Sequence, residues 1–175
     1  MIRPLDRRDV RTALKIINAA ALAYRGVIPA DCWQEPYMPH DELLSELEAG
    51  VKFWGYETRG RLAGVMGRQE VKDVILIRHA YVSPQAQRAG IGAQLLGHLR
   101  QGVAVPMLVG TWAAAWWAVR FYEKHGFKLV TPAEKDRLLR AYWTISDRQV
   151  ETSVVLGIEP SPQTEAMHHK IKMSQ

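Results

Sequence analysis

Residues 74–96 read Val74-Ile75-Leu76-Ile77-Arg78-His79-Ala80-Tyr81-Val82-Ser83-Pro84-Gln85-Ala86-Gln87-Arg88-Ala89-Gly90-Ile91-Gly92-Ala93-Gln94-Leu95-Leu96. Val74–Val82 is the most apolar run of the chain, and it reads as a central strand buried on both faces. Ser83-Pro84 closes it. Gly90 and Gly92 then open a helix over about 91–100, in which Ile91, Leu95 and Leu99 face inward. Glycines at such a junction let backbone amides approach an anion closely. The free N–H groups and positive dipole of the helix start complete a phosphate site. Arg88 adds a guanidinium that can fork onto phosphate oxygens. Two better-known phosphate loops do not match: Leu95 stands where Gly-x-Gly-x-x-Gly needs its last glycine, and the Gly-Lys-Ser/Thr end of a P-loop is missing.

Upstream, strand-like runs at Val51–Glu57 and Leu62–Gln69 flank the turn Arg59-Gly60, and short connections predict an antiparallel meander ending in 74–82. Before them, residues 2–5 form a strand and Asp6 caps a helix carrying Val10, Ala13, Leu14, Ile17, Ala20, Ala21 and Tyr24 at spacings of three and four. Gly26 ends that helix. A second helix fits 41–49, with Leu43, Leu44 and Leu47 on one side. Residues 26–40 between them, rich in proline and aromatics, form an irregular loop. Trp33 and Tyr37 there either plug the core or wall a substrate pocket.

Downstream, the expected order is a strand at 105–109, a helix at 113–125 broken at Gly126, and a strand at 127–130. A helix at 132–140 with Pro132 in its first turn and a last strand at 149–157 follow. The whole is an α/β (α+β) fold: a mixed, mostly antiparallel sheet of about seven strands with helices on both faces. Residues 1–158 are expected to form one domain and 159–175 a flexible tail. The paired His168-His169 in that tail is weak evidence for a metal site.

The 175 residues are 47% hydrophobic and 23% charged, ordinary for a globular protein that buries a real core. No stretch reaches the length that spans a bilayer, and Met1-Ile2-Arg3-Pro4 opens directly into a strand, so a cytoplasmic protein without membrane contact is expected. Cys32 is the single cysteine and has no internal partner, which suits a reducing compartment. The net charge of +5 is spread over the chain without a basic block or basic helix face. Such diffuse charge suits a phosphate-rich small cofactor as well as nucleic acid, and composition alone does not choose; no nucleic-acid partner is expected.

The string Ala80–Leu96 closely resembles the acyl-CoA-binding segment of the GNAT acetyltransferase superfamily, whose pattern is Gln/Arg-x-x-Gly-x-Gly/Ala at a strand-to-helix turn. Arg120-Phe121-Tyr122-Glu123-Lys124-His125-Gly126-Phe127 resembles its second signature, a helix ending in Phe-Tyr-x-x-x-Gly-Phe. The resemblance implies the acyl-CoA N-acyltransferase fold and an enzyme that moves the acetyl group of acetyl-CoA, its cosubstrate, to a primary amine without a metal. It implies that the backbone around Tyr81 and Val82 pairs with the pantetheine arm. It implies that Gln87, Arg88, Ala89, Gly90, Ile91, Gly92 and Ala93 hold the pyrophosphate. Tyr122 matches the family's general acid, and a phenol with pKa ~10 stays protonated and can give its proton to the departing thiolate. The Val82 N–H is a candidate to hold the oxyanion.

The chain departs from the family in two places. Ala115 stands where an asparagine often contacts the cofactor. The strand positions that carry a base in several members are Leu76 and Arg78, and neither can accept a proton. His79 faces the opposite side by strand alternation, packed beneath a helix. Arg78, if it points into the cleft, binds an anionic group of the acceptor, and Trp33 and Tyr37 are the further candidates for acceptor contacts. The expected acceptor is a small-molecule amine taken up by a monomer or homodimer. The alternatives are a protein lysine or N-terminal amine, or a non-catalytic acyl-CoA-binding module.

Overall fold

In the computed structural model, which describes residues 1–160, the strands are β1 (Ile2–Pro4), β2 (Lys52–Thr58), β3 (Arg61–Val71), β4 (Val74–Val82), β5 (Met107–Trp112), β6 (Lys128–Leu129) and β7 (Ser153–Ile158). They form one seven-stranded sheet in the order β1-β2-β3-β4-β5-β7-β6. Every pairing is antiparallel except that of β4 with β5. β4 is thus central, as its apolar run requires. The expected fold class is the observed one.

The helices are α1 (Val10–Ala21), α2 (His40–Glu48), α3 (Ile91–Leu99), α4 (Trp116–Lys124), α5 (Pro132–Tyr142) and α6 (Asp147–Thr152). On one face α1 and α2 pack Val10, Ala13, Ile17 and Leu43 against Phe53 and Val65 of the sheet. Farther along that face, α5 and α6 bring Leu138, Leu139 and Val150 onto Leu76, Leu108 and Val155. The opposite face carries α3 and α4, whose Ile91, Leu95, Leu96, Leu99 and Tyr122 meet Met66, Ile75, Ile77, Val109 and Leu156. Leu95 and Leu96 are wholly buried, and each such side chain contributes roughly 1.5–3 kcal/mol by leaving water.

Several boundaries differ from the sequence reading. Residues 149–152 belong to α6 rather than to the last strand, because Ser146 and Gln149 form a capping box that starts a helix at Asp147. β5 begins at Met107, after Pro106, which has no N–H to give, and it runs on to Trp112 because β7 pairs with it over that length. The helix expected from residue 113 starts at Trp116. α1 ends at Ala21, and Tyr24 sits on the short 3-10 turn Leu22–Tyr24 beyond it. His168-His169 and residues 161–175 of the expected tail lie outside the described residues.

Two irregularities in β4 shape everything near its C-terminal end. The first is a bulge: Val65 pairs with Tyr81 and Gly67 with Arg78, so Met66 alone faces both His79 and Ala80. His79 takes the extra position with φ of +49°, a left-handed conformation that costs a residue with a Cβ about 1–3 kcal/mol. The second is a splay. β4 and β5 pair only at Ile75–Met107, Leu76–Leu108 and Ile77–Val109. Past that point each strand keeps its outer neighbour, while the inner edges of Arg78–Val82 and Gly110–Trp112 face open space.

Candidate functional site

The splay opens a cavity on either side of the sheet. The larger, about 550 Å³, is lined by Val82, Gln87, Gly92, Trp117, Phe121 and Tyr122, with Tyr24 and Tyr81 at its inner end. The smaller, about 170 Å³, is a recess lined by Tyr37, Arg78, His79, Thr111, Trp112 and Trp143, again with Tyr24 and Tyr81. Those two tyrosines are common to both spaces. A larger depression of about 720 Å³ runs along β6 and α5 and holds none of the residues expected to act.

The glycine loop stands at the mouth of the larger cavity. Arg88 and Gly90 both have positive φ, +64° and +75°, and such turns point successive N–H groups to one side. Gly90 precedes α3 without any side-chain cap, so the first-turn amides of α3 are left for a ligand. Gly92 lies against α4: a Cβ there would lie 3.4 Å from two ring carbons of Phe121, leaving no room for a larger side chain on that side. Ile91 buries its side chain in the core, so only its backbone can serve the loop. Gln87 and Arg88 are exposed, and the Gln87 side-chain amide donates to the Val82 carbonyl at 3.2 Å.

Tyr122 comes from α4, whose Phe121 and Tyr122 rings meet at 5.0 Å edge to face, with Phe127 closing the other side at 5.5 Å. It is 5% exposed. Burial, with a smaller contribution from Tyr24, pushes its hydroxyl well above the ordinary phenol value, so it keeps its proton at neutral pH. Gly92 at the uncapped start of α3, Val82 on the open inner edge of β4 and Tyr122 all line this one cavity. Ala115 is wholly buried, so the residue at the expected asparagine position packs in the interior.

Around the recess the aromatic rings form a continuous wall. Tyr24 stacks on Trp117 at 5.9 Å and meets Tyr37 at 5.4 Å, while Tyr81 stands edge-on to both tyrosines. The indole N–H of Trp112 donates to the Tyr37 hydroxyl at 2.8 Å. Burial raises all three phenols. Trp33 does not line the recess. It stacks behind Tyr37 at 5.7 Å, fixing that ring from outside.

Arg78 does line the recess, but its guanidinium is engaged: Nη1 donates to Gln69 at 2.6 Å and Nη2 to Glu46 at 2.7 Å. His79 is where the sequence reading fails. The bulge puts it on the same face as Arg78, with Nε2 at 3.1 Å from Glu46 and its ring stacked on Phe53. The same bulge resets the alternation, so Tyr81 joins α1 on this face and Val82 joins α3 on the other. Burial pushes the Glu46 carboxyl up, but His79, by hydrogen bond and charge, and the Arg78 guanidinium outweigh it and hold the carboxyl below its usual range. Two residues of this site escaped the sequence reading. Tyr24 looked like the last core position of a helix, and Glu46 like a polar residue of α2; neither carried a local signal.

The profile of the acetyltransferase (GNAT) domain matches residues 18–141, covering both signatures and the strands between them. The chain belongs to the GNAT acetyltransferase family. Within it, the chain is 26% identical over 153 residues to the peptidyl-lysine N-acetyltransferase YiaC of Escherichia coli, covering 87% of this chain and 99% of that one. Among solved structures, the PaiA N-acetyltransferase from Thermoplasma acidophilum in complex with coenzyme A superposes with a TM-score of 0.68 at 17% identity, covering 91% of this chain and 98% of that chain. The putative acetyltransferase yncA from Salmonella typhimurium, with acetyl-CoA, gives 0.62 at 18% identity, covering 92% and 94%. As a GNAT acetyltransferase the chain is an acyltransferase whose cosubstrate is acetyl-CoA. Among the described residues no cluster of His, Cys, Asp or Glu could hold a metal, and no helix is long and apolar enough to cross a membrane.

Proposed function

We propose that this enzyme transfers the acetyl group of acetyl-CoA to the primary amine of a small molecule. The observation that carries the reading is the pair of cavities meeting at Tyr24 and Tyr81, one suited to a long phosphorylated thioester and the other to a slender amine. The α3 amides and the loop Gln87–Ala93 hold the pyrophosphate. The inner edge at Tyr81 and Val82 receives the pantetheine arm, the Val82 N–H faces the developing oxyanion, and Tyr122 protonates the leaving thiolate. Direct attack within one ternary complex follows, since no nucleophilic side chain is needed between donor and acceptor.

The recess of about 170 Å³, walled by Tyr37 and Trp143, favours a compact acceptor. A lysine side chain is the second reading, favoured by the likeness to a relative named as a peptidyl-lysine acetyltransferase. Both share an amine on an aliphatic stem. The diffuse charge and lone Cys32 support a cytoplasmic enzyme that does not act on nucleic acid.

Thiol release from acetyl-CoA, measured over small amines, lysine peptides and N-terminal peptides, tests this. Faster turnover of small amines than of any peptide is expected. Preference for lysine peptides would assign the second reading. Tight acetyl-CoA binding without turnover of any acceptor would make the chain a non-catalytic acyl-CoA-binding module.

A further inference from the structure

An alkylamine reaches the recess as an ammonium ion and must lose a proton before it can attack. The strand positions expected to supply a base hold Leu76, buried in the core, and Arg78, a cation paired with Glu46 and Gln69. The recess lining contains five ionisable groups of three types: the phenols of Tyr24, Tyr37 and Tyr81, the Arg78 guanidinium and the His79 imidazole. The phenols hold their protons more tightly than usual because of burial, and the guanidinium does not titrate. His79 is what remains. From the geometry we infer that His79, held by Glu46, is the group that accepts the ammonium proton.

Three further observations support the assignment. His79 Nε2 faces Glu46 Oε2 at 3.1 Å, both atoms are buried, and Arg78 Nη2 stands 2.7 Å from the same oxygen. A carboxylate in that position fixes the neutral ring with its proton on Nε2 and leaves Nδ1 as the acceptor. The bulge places a non-glycine residue at φ of +49° inside a central strand, and bulges next to a reaction centre re-aim side chains. The groups around the imidazole come from several elements: Glu46 from α2 and Phe53 from β2 contact it, Arg78 neighbours it on β4, and Tyr24, Tyr37 and Tyr81 line the same recess. Glu46 is the one carboxylate among them, and it faces both the Arg78 guanidinium and the His79 ring.

The ammonium gives one proton to His79 Nδ1, and the freed lone pair forms the C–N bond to the thioester carbonyl carbon. The nitrogen then gives its second proton to water as the C–S bond breaks. The thiolate takes a proton from Tyr122, water returns one to the phenolate, and His79 gives its proton to solvent, so one proton per turnover is released. Glu46 is a positioning residue in this scheme, because it acts through the imidazole.

The inference rests on the acetyltransferase reading, and two acceptors separate the two. An alkylamine needs the base, whereas a weakly basic amine such as an arylhydrazine arrives neutral. His79→Gln is expected to lower kcat/KM for the alkylamine by about 100-fold and to change the pH profile of kcat/KM. The loss with the arylhydrazine should be much smaller. Glu46→Gln should show the same selectivity in milder form, and it keeps the question open to test if His79→Gln does not fold. Equal losses for both acceptors, or an unchanged pH profile, would overturn the assignment while leaving the enzyme reading intact. Failure of the unmodified enzyme with either amine would instead overturn the reading beneath it.

Discussion

Ile77 and Val109 are the last paired residues between β4 and β5, and from that pair onward the two strands diverge. Both are buried on the face carrying α3, so the parallel ladder ends where the apolar core ends. Beyond it the next residues are Arg78 and Gly110, neither of which fills the space between the strands. Ordinary sheet pairing would have closed that space. The divergence creates both the cleft ending at Tyr122 and the recess ending at His79.

Tyr122→Phe keeps the ring contacts with Phe121 and Phe127 and removes only the hydroxyl. If Tyr122 is the general acid, kcat falls by about 100-fold while calorimetry finds acetyl-CoA affinity unchanged. Unaltered kcat would take Tyr122 out of the chemistry.

Gly92→Val tests the cradle. Its β carbon would already touch the Phe121 ring at 3.4 Å, and its methyl groups must enter either that ring or the cavity. Overpacking of this kind costs about 1–3 kcal/mol. The Kd for acetyl-CoA should rise by about tenfold or more, which corresponds to ~1.4 kcal/mol. Titration calorimetry reads it directly.

Tyr37→Ala removes a wall of the recess without touching the cleft. The expected result is a raised KM for the amine with an unchanged Kd for acetyl-CoA. Tyr37→Phe should be milder in KM but leaves the Trp112 N–H without its acceptor, at a stability cost of about 1–3 kcal/mol. Steady-state kinetics and thermal melts separate the two effects.

Stability should depend on Glu46 in acid. Its folded pKa lies below the unfolded value of ~4.3, so its contribution is present above that value and is lost as pH falls through the lower folded value. Glu46→Gln should therefore flatten part of the acid limb in denaturant melts taken between neutral pH and pH ~3. An acid limb identical to that of the unmodified protein would refute the linkage.

The element order, the central place of β4 and the inward faces of α2 and α3 were legible in the sequence, because periodicity, glycines and prolines act within a few residues of themselves. Local capping was less visible: Ser146 and Gln149 turned the start of the last expected strand into α6. The face of His79 was illegible for a sharper reason. Alternation follows from an unbroken ladder, and the extra residue in β4 opposite Met66 depends on how β3 pairs with it. Tyr24, Tyr37 and Tyr81 converge from three separate segments, and no spacing announces that.

By itself the sequence determined the glycine loop after Val82, the helix that follows it and the second signature around Tyr122. A strand end, a left-handed glycine and an uncapped helix start are properties of contiguous backbone. Only the tertiary structure decided that His79 turns to Glu46, that Arg78 is already paired, and that two cavities share Tyr24 and Tyr81. Those relations join residues brought together when α2 and the 3-10 turn after α1 settle on the sheet. Burial energy sets that packing across the whole core, and no short stretch of chain encodes it.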